Sequence, residues 1–162
     1  MHNVVLKWQQ EHAKIGKHID LGERLCFGFH FYIGDSKEQC IRDAAKYYEE
    51  NMKMFGELRL NRAMTDEQIE IMRDPLRAPT AKLPRIEDAV NAGGFLTGSP
   101  AEVIDHLKKL EKAYPGLDRI SISPSLGVPE AVILEQLERF AKEVMPAFKD
   151  SRIDSKEPAM VK

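Results

Sequence analysis

The chain has 162 residues, of which 43% are apolar and 31% charged, with a formal net charge of -2. That is the size of one domain, and such a length buries about 68–70% of its unfolded surface without a disulfide or a metal staple. The composition excludes a largely disordered chain, and the near-neutral charge argues against a dedicated nucleic-acid binder.

Cys26 and Cys40 have no C-x-x-C neighbour and no His at metal-ligand spacing, so no metal site is expected. A disulfide is formally open, but each lies in an apolar run, and both read as reduced, buried thiols. The opening MHNVVLKWQQEHAK is charged every few residues and lacks the apolar region of a signal peptide. No apolar run reaches the ~18 residues that span a bilayer. A cytoplasmic protein with no membrane partner is expected.

The first element reads as a helix, with Val4, Val5, Trp8, His12 and Ile15 at three- and four-residue spacing and Gly16 as its stop. No strand precedes it, which suggests a missing upstream part. Residues 25–33 (LCFGFHFYI) are the clearest strand. Leu25, Phe27, Phe29, Phe31 and Ile33 alternate with Cys26, Gly28, His30 and Tyr32. One face is bulky; the other is small or polar but uncharged. That pairing fits a barrel wall, greasy side on helices and the other side lining a lumen.

After Gly34, Asp35 or Ser36 caps a helix, with Glu38 placed for a capping box, and the helix is expected to stop at Gly56. Residues 57–85 read as irregular, with a short helix capped near Thr65 and an exposed proline-rich loop, DPLRAPTAKLP. A short helix over 86–92 and a short strand at Phe95–Thr97 follow. Ser99 is the natural N-cap of the next helix, with Pro100 at its first position and Glu102 completing the box. A third strand spans Asp118–Ser123 and leads through the loop Pro124–Pro129 into a long helix, AVILEQLERFAKEVM. Its apolar positions are Val132, Ile133, Leu137, Phe140, Ala141 and Val144, and Pro146 ends or kinks it. Residues 150–162 read as a frayed tail.

Strands alternating with helices predict a parallel α/β sheet. Three parallel strands leave open edges, and a complete (β/α)8 barrel takes roughly 250 residues. The expected fold is therefore a partial (β/α)8 (TIM) barrel over residues 1–149, carrying its C-terminal βα units and an irregular insertion. It is completed by a missing N-terminal half or by homo-oligomerisation.

The run Gly94–Phe148 resembles the C-terminal end of the luciferase-like monooxygenases, a family of flavin- or deazaflavin-dependent (β/α)8 barrels. The resemblance rests on Gly98–Val103 (GSPAEV) and on Leu137–Phe148 (LERFAKEVMPAF). Ile33–Ala45 (IGDSKEQCIRDAA) is similar to the family's sixth strand and following helix. The family's first half, with most of its flavin contacts, has no counterpart here. The resemblance implies an oxidoreductase that oxidises a small organic substrate with reduced FMN and O2, or transfers hydride with the deazaflavin F420. The alternative is a fragment that binds flavin without turnover or serves in assembly.

Six residues are site candidates. His30 and Tyr32 face the expected lumen, His30 as an acid, base or hydrogen-bonding group and Tyr32 as a cofactor contact. Either also reads as a filler of a barrel layer. Gly98 and Ser99 open a helix, where free N–H groups and the positive helix end favour a phosphate, although a capping box needs no ligand. Ser123 and Ser125 flank the end of the last strand, where a barrel does its chemistry, or simply shape a turn. His2, His12, His18 and His106 are assigned no chemistry, and Asp43, Glu49 and Glu50 read as a solvated helix face. No Walker loop, G-x-G-x-x-G turn or Ser-His-Asp set is present.

Overall fold

The computed structural model describes residues 2–57 and 64–148; the tail expected at 150–162 lies outside the described residues. Helix α1 (His2–Lys14) precedes strand β1 (Cys26–Ile33), which feeds helix α2 (Lys37–Glu57). Two short helices follow, α3 (Asp66–Met72) and α4 (Ile86–Asn91), then β2 (Phe95–Gly98), α5 (Pro100–Ala113), β3 (Arg119–Ser123) and α6 (Glu130–Arg139). The fold is α/β, built on a three-stranded parallel sheet.

The strand order is β2-β1-β3. Consecutive strands of a barrel wall would be neighbours in the order of the chain; here β1 lies between the other two. The two crossovers therefore leave on opposite faces, as a common hand demands when the chain steps first one way and then back across β1. Helices α2 and α4 pack Ala44, Tyr48, Met52 and Ile86 on Phe95 and Tyr32. On the other face Phe27, Phe29, Phe31 and Ile33 pack with Leu96, Val103 and Leu107 of the β2–α5 unit and with Val144. The alternation of β1 thus produces the buried side it predicts.

The opposite side of β1 differs from the lumen wall expected of it. Tyr32 and His30 sit under or beside α2 and Phe95, whereas Cys26 and Gly28 are exposed. An isolated sheet must cover apolar Phe95, and α2 supplies that cover. Cys26 is consequently an exposed thiol, not a buried one; Cys40 is fully buried, and both are free.

The capping signals carry over in part. Thr65 and Ser99 form capping boxes with Gln68 and Glu102. At α2 the cap is Ser36, whose Oγ accepts the Gln39 N–H at 3.2 Å, and Asp35 instead pairs with Arg139 at 3.3 Å. Helix α1 buries Val5 but leaves Val4 and Ile15 exposed. Polar side chains fasten it to the following turn: Trp8 Nε1 donates to the Glu23 carbonyl at 3.1 Å and Gln9 Nε2 to the Ile19 carbonyl at 2.9 Å.

The last helix is not continuous. After α6 the chain widens into a π-helical turn, Phe140–Val144, and tightens into a 3-10 turn, Met145–Phe148. Pro146 has no N–H to continue an α-helical ladder. In the expected apolar stripe Leu137 is exposed, and its neighbour Gln136 is 3% exposed. Gln136 explains the exchange. Strand β3 pairs with β1 only as far as His30, so the outward N–H and C=O of Ile33 face no strand. The Gln136 carboxamide takes that rung: Oε1 accepts the Ile33 N–H at 2.5 Å and Nε2 donates to the Ile33 carbonyl at 3.0 Å.

Candidate functional site

All three strands run in one direction, so their C-terminal ends form one edge of the sheet. Parallel strands bring loops and helix N-termini to that edge, which is where α/β folds bind ligands. The connection from β1 leaves to one face and those from its neighbours β2 and β3 to the other, so the sheet can open a crevice on either side of the end of β1, the β3 side among them.

His30 is aligned with Ser123 across that crevice and with Phe95 on its other side. Its ring stacks on Phe95, with centroids 6.2 Å apart and planes 28° apart. Its buried Nδ1 makes no hydrogen bond among the described residues. Tyr32 stands one step along the same face, half covered by α2. Burial, reinforced by the negative charge of Asp43, raises its phenol above the ordinary value, so Tyr32 is a neutral hydrogen-bonding group at physiological pH.

Ser123 is exposed at the end of β3, and Ser125, two residues on, is buried. Its Oγ makes no hydrogen bond among the described residues. The loop that holds it is tied to α2 by Asn51, whose Oδ1 accepts the Leu126 N–H at 3.0 Å. The structure thus brings His30, Ser123 and Ser125 to one corner and adds Asn51.

Gly98 and Ser99 lie apart from that corner, on the β2 side. Gly98 has a φ of 123°, and a Cβ there would stand 2.6 Å from Glu102 Oε2. Both the N–H and the Oγ–H of Ser99 go to that oxygen, at 2.8 and 3.0 Å. The Ser99 N–H, and then its hydroxyl, hold the Glu102 carboxyl below the usual carboxylate range. The positive end of α5 already carries a negative charge supplied by the chain itself, so a phosphate at Gly98–Ser99 would have to displace Glu102.

Beside this cap runs an open groove of about 230 Å³ whose lining includes Lys37, Thr97, Glu102, His106 and Lys109. His106, assigned no chemistry in sequence, is half-buried with its ring edge toward Phe29 at 6.3 Å. Burial, then Lys109 and Lys37, lower its basicity, which keeps it neutral at physiological pH. Among the described residues no group of three or more His, Cys, Asp or Glu is placed to hold a metal, and no helix is long and apolar enough to cross a membrane.

Asn51 and Gln136 are the polar residues that sequence reasoning passed over. Each had a signal. Asn51 is three residues from buried Tyr48, and Gln136 four from Phe140 and eight from Val144, so both fall on the stripe of their helix that faces inward. No family model matches the sequence, and no curated protein is similar to it.

Proposed function

We propose that the chain is the C-terminal portion of a luciferase-like, flavin-dependent oxidoreductase that oxidises a small organic substrate. The resemblance of Gly94–Phe148 to that family carries the reading. The carboxyl edge of the parallel sheet supports it, because His30, Ser123 and Ser125 meet there with Tyr32 alongside. The unpartnered polar atoms in that corner fit the polar edge of a flavin ring. The cap at Ser99 does not fit a phosphate while Glu102 occupies it.

Bound reduced FMN would supply the two electrons that, with O2, place one oxygen atom in the substrate and release the other as water; a deazaflavin would supply hydride instead. The chain's own contribution is orientation and proton handling. His30 gives or accepts a proton at Nδ1, Tyr32 donates a hydrogen bond from a neutral phenol, and Phe95 covers one face of the His30 ring.

The finer fold reading belongs to the same proposal: in the whole protein these βα units would be part of a (β/α)8 barrel. That requires β3 to leave the side of β1 for the far edge of β2, and α2 to leave the face it covers. Flavin binding does not depend on the rearrangement, since doubly wound sheets also bind at the carboxyl edge.

The test is a titration of the chain with oxidised FMN, reduced FMN and F420, alone and with an N-terminal half of the family supplied. Quenching of the cofactor's fluorescence is expected, with oxygen uptake when reduced FMN and a substrate are present. No binding in either setting overturns the reading. Tight binding without oxygen uptake favours the second reading, a non-catalytic flavin-binding or oligomerising fragment. The exposed β3 and the bare Cys26–Gly28 surface support that one.

A further inference from the structure

The groove of about 230 Å³ beside the α5 cap has no part in the flavin reading. One face of α5 forms its wall. Glu102, Asp105, His106 and Lys109 recur there at three- and four-residue spacing, so they share a side of the helix. Lys37, the first residue of α2, lines the groove too. The space is below the ~300–1,000 Å³ of pockets for drug-sized ligands, which suits a smaller molecule.

The charges on the groove are of both signs and equal in number, two lysines against two carboxylates. Among the described residues none of the four forms an ion pair. Asp105 and Lys109 stand one helical turn apart, the spacing at which Glu138 and Lys142 pair on α6, and no ion pair closes between them. Lys37 is half-buried at the start of α2, where the positive helix end disfavours a cation, so an anion facing it would relieve that conflict. Glu102 is committed to Ser99, which leaves Asp105 as the acid open to a ligand.

His106 shares that face. Its ring lies against Phe29 and Gly93, where an added Cβ would stand 3.4 Å from Cε1. Neither ring nitrogen makes a hydrogen bond among the described residues, and neither is buried, so both are open to a ligand. Burial, then Lys109 and Lys37, keep the ring neutral, so one nitrogen donates and the other accepts. An anion alone would answer the lysines and be repelled by Asp105, and a cation alone would meet the reverse. A ligand that carries both charges answers both.

We infer that the groove binds a small zwitterion, an α-amino acid or like amino-carboxylate, with its carboxylate on Lys37 and Lys109, its ammonium on Asp105 and a hydrogen bond to His106. The inference belongs to the observed packing of β2, α2 and α5 and does not rest on the flavin reading.

The experiment follows the His106 ring protons by NMR at low salt, assigned with His106→Gln. L-alanine, L-leucine and L-glutamine are titrated, each beside the acid that lacks its amino group and the amine that lacks its carboxylate. At least one amino acid is expected to shift His106 saturably and to bind about tenfold tighter than either one-charge analogue, the worth of one charge-assisted hydrogen bond. Lys109→Gln is expected to weaken the amino acid and the acid about fivefold and to leave the amine unchanged. Asp105→Asn is expected to weaken the amino acid and the amine and to leave the acid unchanged. Both positions are exposed, so far-UV circular dichroism should not move. No saturable shift with any of the three, an analogue as tight as its amino acid, or an amino-acid affinity unchanged by both variants overturns the inference. The flavin titration stands or falls separately from all of these outcomes.

Discussion

Replacing Gln136 with Leu tests whether a side chain completes the sheet. The substitution nearly conserves volume, so no large cavity opens. What it removes is a pair of bonds, 2.5 Å from the Ile33 N–H and 3.0 Å to its carbonyl. Gln136 is 3% and Ile33 1% exposed, so water does not replace them. Each buried backbone group left unpaired costs about 1–3 kcal/mol, offset in part by the apolar surface that Leu buries. The expected loss is about 2–5 kcal/mol. Equilibrium urea unfolding reads it directly, and the thermal midpoint should fall by roughly 5–15 °C for a domain this long. Gln136→Glu gives an internal check, since its ionised carboxylate accepts from Ile33 N–H but cannot donate to the carbonyl, so it should be intermediate at low pH and poor at neutral pH. A loss under ~1 kcal/mol for Gln136→Leu would refute the argument, because it would mean Ile33 finds other partners without strain.

Ser99→Ala removes the side-chain half of a cap and should cost about 1 kcal/mol in urea unfolding. The cap also has a pH signature. Glu102 has a lowered folded pKa, so its share of stability is present above the unfolded carboxylate value and is lost as pH falls through the folded one. Glu102→Gln should flatten the acid limb of the stability curve, and an unchanged limb would dismiss the carboxylate. His106 is also lowered but is a base, so the fold favours its neutral form. Stability should be complete above the unfolded His value and decline as pH falls toward the folded one, and His106→Gln should remove that slope from urea midpoints taken between pH 7.5 and 5.5. The two thiols should separate by rate with a chromogenic disulfide reagent. Cys26 is exposed and should react at once, while Cys40, buried and raised in pKa by that burial, should react only in denaturant; two fast thiols would contradict the packing of α2.

The elements were legible where local chemistry decides them. The alternation of β1 fixed its buried face, and the Ser99 and Thr65 boxes marked two helix starts. The order of strands was not legible, because it depends on which face each crossover takes, and no residue pattern encodes that alone. Cys26 misled for a related reason: an apolar run with period two has two sides, and only the covering helix decides which is buried. Asn51 and Gln136 sat on inward stripes, yet a polar residue there reads as surface until a partner some 75 or 103 residues away is known. Of the site candidates, the corner of His30, Ser123 and Ser125 followed from strand direction. The relation of Ser99 to Glu102 was visible as a cap, and its consequence for anions needed the geometry.

The unequal rims of the sheet set a limit on growth. Strand β2 is buried along its whole length, whereas β3 lies open to water. Among the described residues the flank open to water is that of β3, and Gln136 takes the rung of β1 that lies beyond its end. A copy docking there edge to edge would occupy that flank in both molecules at once, an isologous contact that closes on itself.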